Sequence, residues 1–120
     1  MQKINVFFPL RLLPLFVLFF VLPLSLGIPT GKTISLDSGK ELFQKNCSVC
    51  HLGGNNIIIP EKNLKKESLE ENGMKSTTAI SYQILNGKNG MPAFGGRLTK
   101  SEIDAIAQYV SEAASTDFRE

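Results

Sequence analysis

Cys47-Ser48-Val49-Cys50-His51 reads C-x-x-C-H and uses both cysteines and the only histidine of the chain. Scattered over 120 positions, two Cys and one His would fall in that arrangement on the order of once in ten thousand trials. Two thiols at this spacing can each add to a vinyl group on one edge of a haem, forming two thioether bonds. Helical spacing then brings the imidazole of His51 under the iron as proximal ligand. Other chemistries use similar spacing, but each lacks a partner here. A thioredoxin-type disulfide switch wants a surrounding βαβ pattern, which is absent. A structural zinc site wants four ligands, and the chain offers three Cys and His in total. A buried histidine without a cofactor is ordinary core material, though not directly after C-x-x-C.

The second axial position separates a carrier from a catalyst. An open iron face binds small ligands and supports peroxidase-like chemistry or gas sensing; a face closed by thioether sulfur does electron transfer. With no second histidine, the strong candidates are methionines, and Met1 belongs to the apolar leader, which leaves Met74 and Met91. Met74 reads as a core gap-filler. Met91 stands between Gly90 and Pro92, which fix the backbone around it, and 40 residues of chain after His51 are enough to wrap from one haem face to the other.

These residues need elements to hold them. Asp37 can cap a first helix that carries Leu42 and Phe43 toward Cys47. Gly53-Gly54-Asn55-Asn56 marks a loop, and Ile57-Ile58-Ile59 looks strand-like but is short and stopped by Pro60, which fits an extended loop on an apolar surface. A short helix is expected over 65–71, ending near Asn72-Gly73. Another starts at Thr77 or Thr78, with Ile80, Ile84 and Leu85 at helical spacing, and closes at Asn86-Gly87. A glycine-rich loop spans 87–99. Thr99 and Glu102 then form a capping box ahead of a stripe of Ile103, Ile106, Ala107 and Val110. The pattern is all-α, short helices joined by long loops, and such a chain is marginal on its own core unless something else fills the centre.

Residues 1–27 stand apart. Lys3 and Arg11 precede an uncharged run from Leu12 to Gly31, and small residues at Ser25 and Gly27 complete the layout of a secretory signal peptide, with cleavage after Gly27 or anywhere up to about Thr33. A retained membrane anchor is the competing reading, weakened by Pro14, Pro23 and Pro29. Residues 28–120 then form the working domain, exported to a lumen, periplasm or exterior where cysteines of this kind meet haem. It holds eleven bases against eleven acids, too near neutral for an electrostatic nucleic-acid binder. Two cysteines also exclude a disulfide framework. The ratio of ten Lys to three Arg suits an AT-rich coding sequence such as an algal plastid's.

The stretches CSVCHLGGNNIIIP (47–60) and YQILNGKNGMPAFGGRL (82–98), followed by a final helix, resemble class I cytochrome c and, within that class, the cytochrome c6 family of algae and cyanobacteria. The likeness covers about residues 35–115. It implies an all-α class I fold wrapped around one covalent haem c, held by Cys47 and Cys50 with His51 and Met91 as axial ligands. It puts Gly39 and Phe43 of the first helix across the last helix near Tyr109, and Asn55 and Gln83 close to the haem and the methionine loop, where their amides would orient the ligand. Arg97 matches a basic residue used in docking to photosystem I. The resemblance further implies a one-electron carrier and no enzyme. It would be a monomer without a stable membrane anchor, receiving electrons from cytochrome f of the cytochrome b6f complex and passing them to photosystem I in the thylakoid lumen. A respiratory cytochrome c donating to a terminal oxidase would share the fold with other partners.

Overall fold

The computed structural model describes residues 36–119. The expected signal peptide over 1–27, with its cleavage window, and the lead-in up to Ser35 lie outside the described residues. Five α-helices follow in order: α1 (Leu36–Asn46), α2 (Ser48–His51), α3 (Lys66–Glu71), α4 (Thr77–Asn86) and α5 (Lys100–Ser115). Short 3-10 turns cover Leu52–Gly54 and Pro60–Lys62. Among the described residues the only β feature is an isolated antiparallel bridge between Lys88 and Met91, so the all-α expectation holds. No described helix is long and apolar enough to cross a membrane.

The helix ends follow local chemistry. The capping box of α5 is present: the Thr99 hydroxyl accepts from the Glu102 backbone N–H, and the Glu102 carboxylate accepts from the Thr99 N–H at 2.8 Å. The cap of α4 is Ser76, one residue before the expected start, with its Oγ accepting from the Ala79 N–H at 3.1 Å. Asp37 does not cap α1; it lies inside the first turn, where a carboxylate faces the positive end of the helix dipole. The 57–59 segment is bent rather than strand, because the Asn56 side-chain oxygen accepts from the N–H groups of both Ile58 and Ile59.

The centre of the fold is the crossing of α1 on α5, with α4 packed on another side of α5. Ile103, Ile106, Ala107 and Val110, the stripe read from the sequence, are all at most 3% exposed. Burying an aliphatic side chain of this size contributes about 1.5–3 kcal/mol. At the crossing a β-carbon on Gly39 would collide with the Ala105 carbonyl oxygen, so only glycine lets the helices approach this closely. The rings of Phe43 and Tyr109 fill the space beside it, 5.2 Å apart. A third ring joins them, that of Phe118 beyond the end of α5.

Candidate functional site

The end of α1 and the whole of α2 carry the C-x-x-C-H motif. The Cys47 N–H donates to the Phe43 carbonyl at 2.8 Å, and the Cys50 and His51 N–H groups both return to the Cys47 carbonyl. This tight turn presents Cys47, Cys50 and His51 on one wall of a cavity of about 220 Å³. Both thiols are free. Burial, and then the neighbouring Cys50 thiol, push the Cys47 thiol up to about 11, so before any covalent chemistry it stays protonated. The His51 Nδ1 lies 2.9 Å from the Asn55 carbonyl oxygen. A carbonyl can only accept, so Nδ1 is the donor, which leaves Nε2 as the nitrogen facing away from this bond.

Met91 lines the same cavity, and the loop that brings it there is built in three steps. Gly87 turns out of α4 with φ +67°, and a β-carbon on it would sit 2.6 Å from the Met91 carbonyl and the Ala93 nitrogen. Lys88 and Met91 then exchange backbone hydrogen bonds, each 3.0 Å long, across Asn89-Gly90. Finally the N–H groups of Phe94 and Gly95 donate to the carbonyls of Ile84 and Leu85, pinning the loop to the last turn of α4. The Gln83 amide nitrogen is 3.9 Å from the Met91 sulfur, a contact that aims the thioether.

The remaining wall is mainly apolar, with Phe43, Ile59, Leu69, Ile80, Ile84 and Phe94 among its residues. Met74 also lines it, packed against the core cluster. Ile58 and Val49 stand at the exposed rim, 55% and 80% accessible. The residues suit a haem: two thiols for the vinyl groups, an imidazole with a free Nε2, a directed thioether and a wall that excludes water. Expected neighbours separate at this point. Gln83 lines the cavity, whereas the Asn55 side chain is exposed and donates to the Leu52 carbonyl, and it is the Asn55 backbone that reaches His51. Its neighbour Asn56 does line the cavity, as do Asn46, Asn63, Asn72 and Asn89. Ile57, expected in the apolar wrapping, is 67% exposed and outside the lining. Arg97 is also outside it, exposed, with its guanidinium 5.1 Å from the centre of the Phe94 ring.

Comparison with known proteins agrees with the geometry. A family model described as cytochrome c oxidase, cbb3-type, subunit III matches residues 35–110. Cytochrome c6 of Bumilleriopsis filiformis is 57% identical over 75 residues, 62% of this chain and 87% of its own length. Cytochrome c6 of Petalonia fascia is 53% identical over 77 residues, 64% of this chain and 91% of its own. The crystal structure of cytochrome c6 from the diatom Phaeodactylum tricornutum superposes with a TM-score of 0.67 at 44% identity, covering 69% of this chain and 98% of that one.

The chain belongs to the cytochrome c6 family. It has that family's class I cytochrome c fold and one covalently bound haem c, and it is an electron carrier rather than an enzyme. Sequence reasoning found the motif and the methionine loop; it missed Asn56 and Phe118. Asn56 is signalled only by its place before three isoleucines, where an Asx turn is the natural way to bend an apolar run. Phe118 lies beyond the last periodic position of α5, and no local pattern marks it.

Proposed function

We propose that the protein moves single electrons from cytochrome f of the cytochrome b6f complex to photosystem I, in the thylakoid lumen of an algal plastid or its cyanobacterial equivalent. The observation that carries the reading is the convergence of both thiols, the imidazole and a directed thioether on one cavity. Cys47 and Cys50 would hold the cofactor by two thioethers, and His51 Nε2 and the Met91 sulfur would be the ligands to its iron. When bound, the haem supplies an iron that changes between ferrous and ferric by one electron. The chain keeps both ligands through that change. The Asn55 carbonyl fixes the His51 ring, Gln83 fixes the Met91 sulfur, and α4 anchors the loop, so little has to move. Ile59 and Phe94 keep water from the buried side, which with methionine ligation favours the ferrous form.

Electron exchange needs an accessible edge and a short-lived contact. Val49 and Ile58 offer a small apolar rim beside the cavity, and Arg97 adds one positive charge nearby in the chain. The family model's description names an oxidase subunit, so the choice of acceptor is the part to test. Flash-oxidised photosystem I should be re-reduced by the ferrous protein, and failure to do so moves the acceptor to a terminal oxidase. Visible spectra test the ligands: the ferric far-red band of iron–methionine ligation should vanish in Met91→Ala and survive in Met74→Ala. A high-spin native spectrum, or ready binding of carbon monoxide at neutral pH, would sink the closed-face reading.

A further inference from the structure

The residues after α5 take a conformation that needs an explanation. Asp117 and Phe118 both have left-handed backbones, φ +55° and +53°, and an aromatic residue stays there only when its surroundings hold it. The holding is visible. The Phe118 N–H donates to the Ala113 carbonyl at 2.8 Å and the Asp117 N–H to Ala114 at 3.3 Å. The Lys65 ammonium is 3.3 Å from one Asp117 oxygen, and the Arg119 guanidinium 3.5 Å from the other. This bend directs the Phe118 ring back onto Phe43, Tyr109 and Gly54. Its centroid is 6.0 Å from that of Phe43 and 6.3 Å from that of Tyr109. The ring also lies so close on Gly54 that a β-carbon there would collide with it.

Gly54 is the residue before Asn55, whose carbonyl accepts the His51 Nδ1 proton. On its other side Gly54 is tied by its own carbonyl, which accepts from the Leu64 N–H at 2.7 Å. The Asn55 N–H and side-chain amide both donate to the Leu52 carbonyl, at 3.2 and 3.0 Å, and the Phe118 ring is the aromatic face that closes on this hydrogen-bonded loop at Gly54. We propose that Phe118 is a positioning residue for the axial histidine: by pressing on Gly54 it fixes the Asn55 carbonyl and keeps the His51 Nδ1 hydrogen bond formed. That bond sets the ring's orientation and increases its basicity, which favours ferric iron. The inference rests on His51 as the proximal ligand.

A ring that merely filled space would leave a different signature. Losing the His51 bond makes the imidazole a weaker donor and raises the midpoint potential, whereas loosened packing that admits water stabilises the ferric charge and lowers it. The test uses the holoprotein and four variants: Phe118→Ala, Phe118→Leu, Phe118→Tyr, and Ile103→Ala as a core deletion in α5 outside the cavity lining. Proton NMR reads solvent exchange of the His51 Nδ1 proton, voltammetry the potential, and urea unfolding the stability. Phe118→Ala and Phe118→Leu should exchange that proton at least about tenfold faster with a raised potential. Phe118→Tyr should restore both, and Ile103→Ala should lose stability while leaving both unchanged. Unaltered exchange in Phe118→Ala and Phe118→Leu, or a lowered potential, overturns the positioning role. If the wild-type protein shows no paramagnetically shifted His51 ring protons, the ligand assignment itself fails and takes the inference with it.

Discussion

Gln83 and Met91 show how much one amide can do. The N–H dipole of Gln83 points its positive end at the Met91 sulfur from 3.9 Å; with Met91 as the proposed iron ligand, that dipole would favour the less charged ferrous state. Gln83→Val should therefore lower the midpoint potential by about 40 mV, the equivalent of ~1 kcal/mol for a one-electron couple. Voltammetry checks it, and an unchanged potential would mean that the contact only packs. The residues proposed for covalent or ligating chemistry were the most legible in the sequence, because C-x-x-C-H and Met-Pro leave few alternatives, and all four line one cavity. Orienting residues were less so. Asn55 and Asn56 are neighbours of one type, and only the folded loop shows that Asn55 works through its backbone while the side chain of Asn56 bends the isoleucine run.

At the scale of elements, the α1–α5 crossing and the α4–α5 contact make different demands. Gly39→Ala would force a methyl into the Ala105 carbonyl, and the helices can part only by disturbing the Phe43–Tyr109 contact. A loss of about 1–3 kcal/mol in urea unfolding is expected, despite the better helix propensity of alanine. The α4–α5 contact carries a polar tie instead: the Ser81 hydroxyl donates to Asp104 at 3.0 Å, and Lys100 pairs with the same carboxylate. The hydrogen bond from Lys100 is the main cause holding the Asp104 carboxyl below its usual 3.8; burial opposes it, and the Ser81 hydrogen bond and the Lys100 charge add to the lowering. Its folded value lies below the unfolded one, so the tie stabilises in full above about pH 4 and is lost as pH falls through the folded value. The group is 46% exposed, which limits the contribution to about 0.5 kcal/mol. Asp104→Asn should flatten acid unfolding by that amount and leave stability at pH 4 and above reduced. The α5 stripe was readable because one face of a long helix repeats its burial every three to four residues. The α2 turn was not, since four residues cannot establish a period.

For the whole molecule, the cavity sets the balance of stability. Leaving about 220 Å³ of core unfilled costs on the order of 5 kcal/mol, as much as the entire stability of a small domain. The double variant Cys47→Ser, Cys50→Ser, which cannot make thioethers, should give far-ultraviolet circular dichroism with most helix lost and rapid proteolysis; a folded, protease-resistant apoprotein would show that the polypeptide core suffices. Charge makes the second prediction. Residues 36–119 hold ten bases and ten acids, so reduction of photosystem I should change less than about tenfold between low and high salt. The meeting of Gly39 with Ala105 also has a bearing on how the protein is made. The first described helix has its partner in the last, so a chain still on the ribosome, or one terminated before Ala105, has nothing to close against. Closure of the fold must wait until α5 has been made, and every chain ended before Ala105 remains open to proteases.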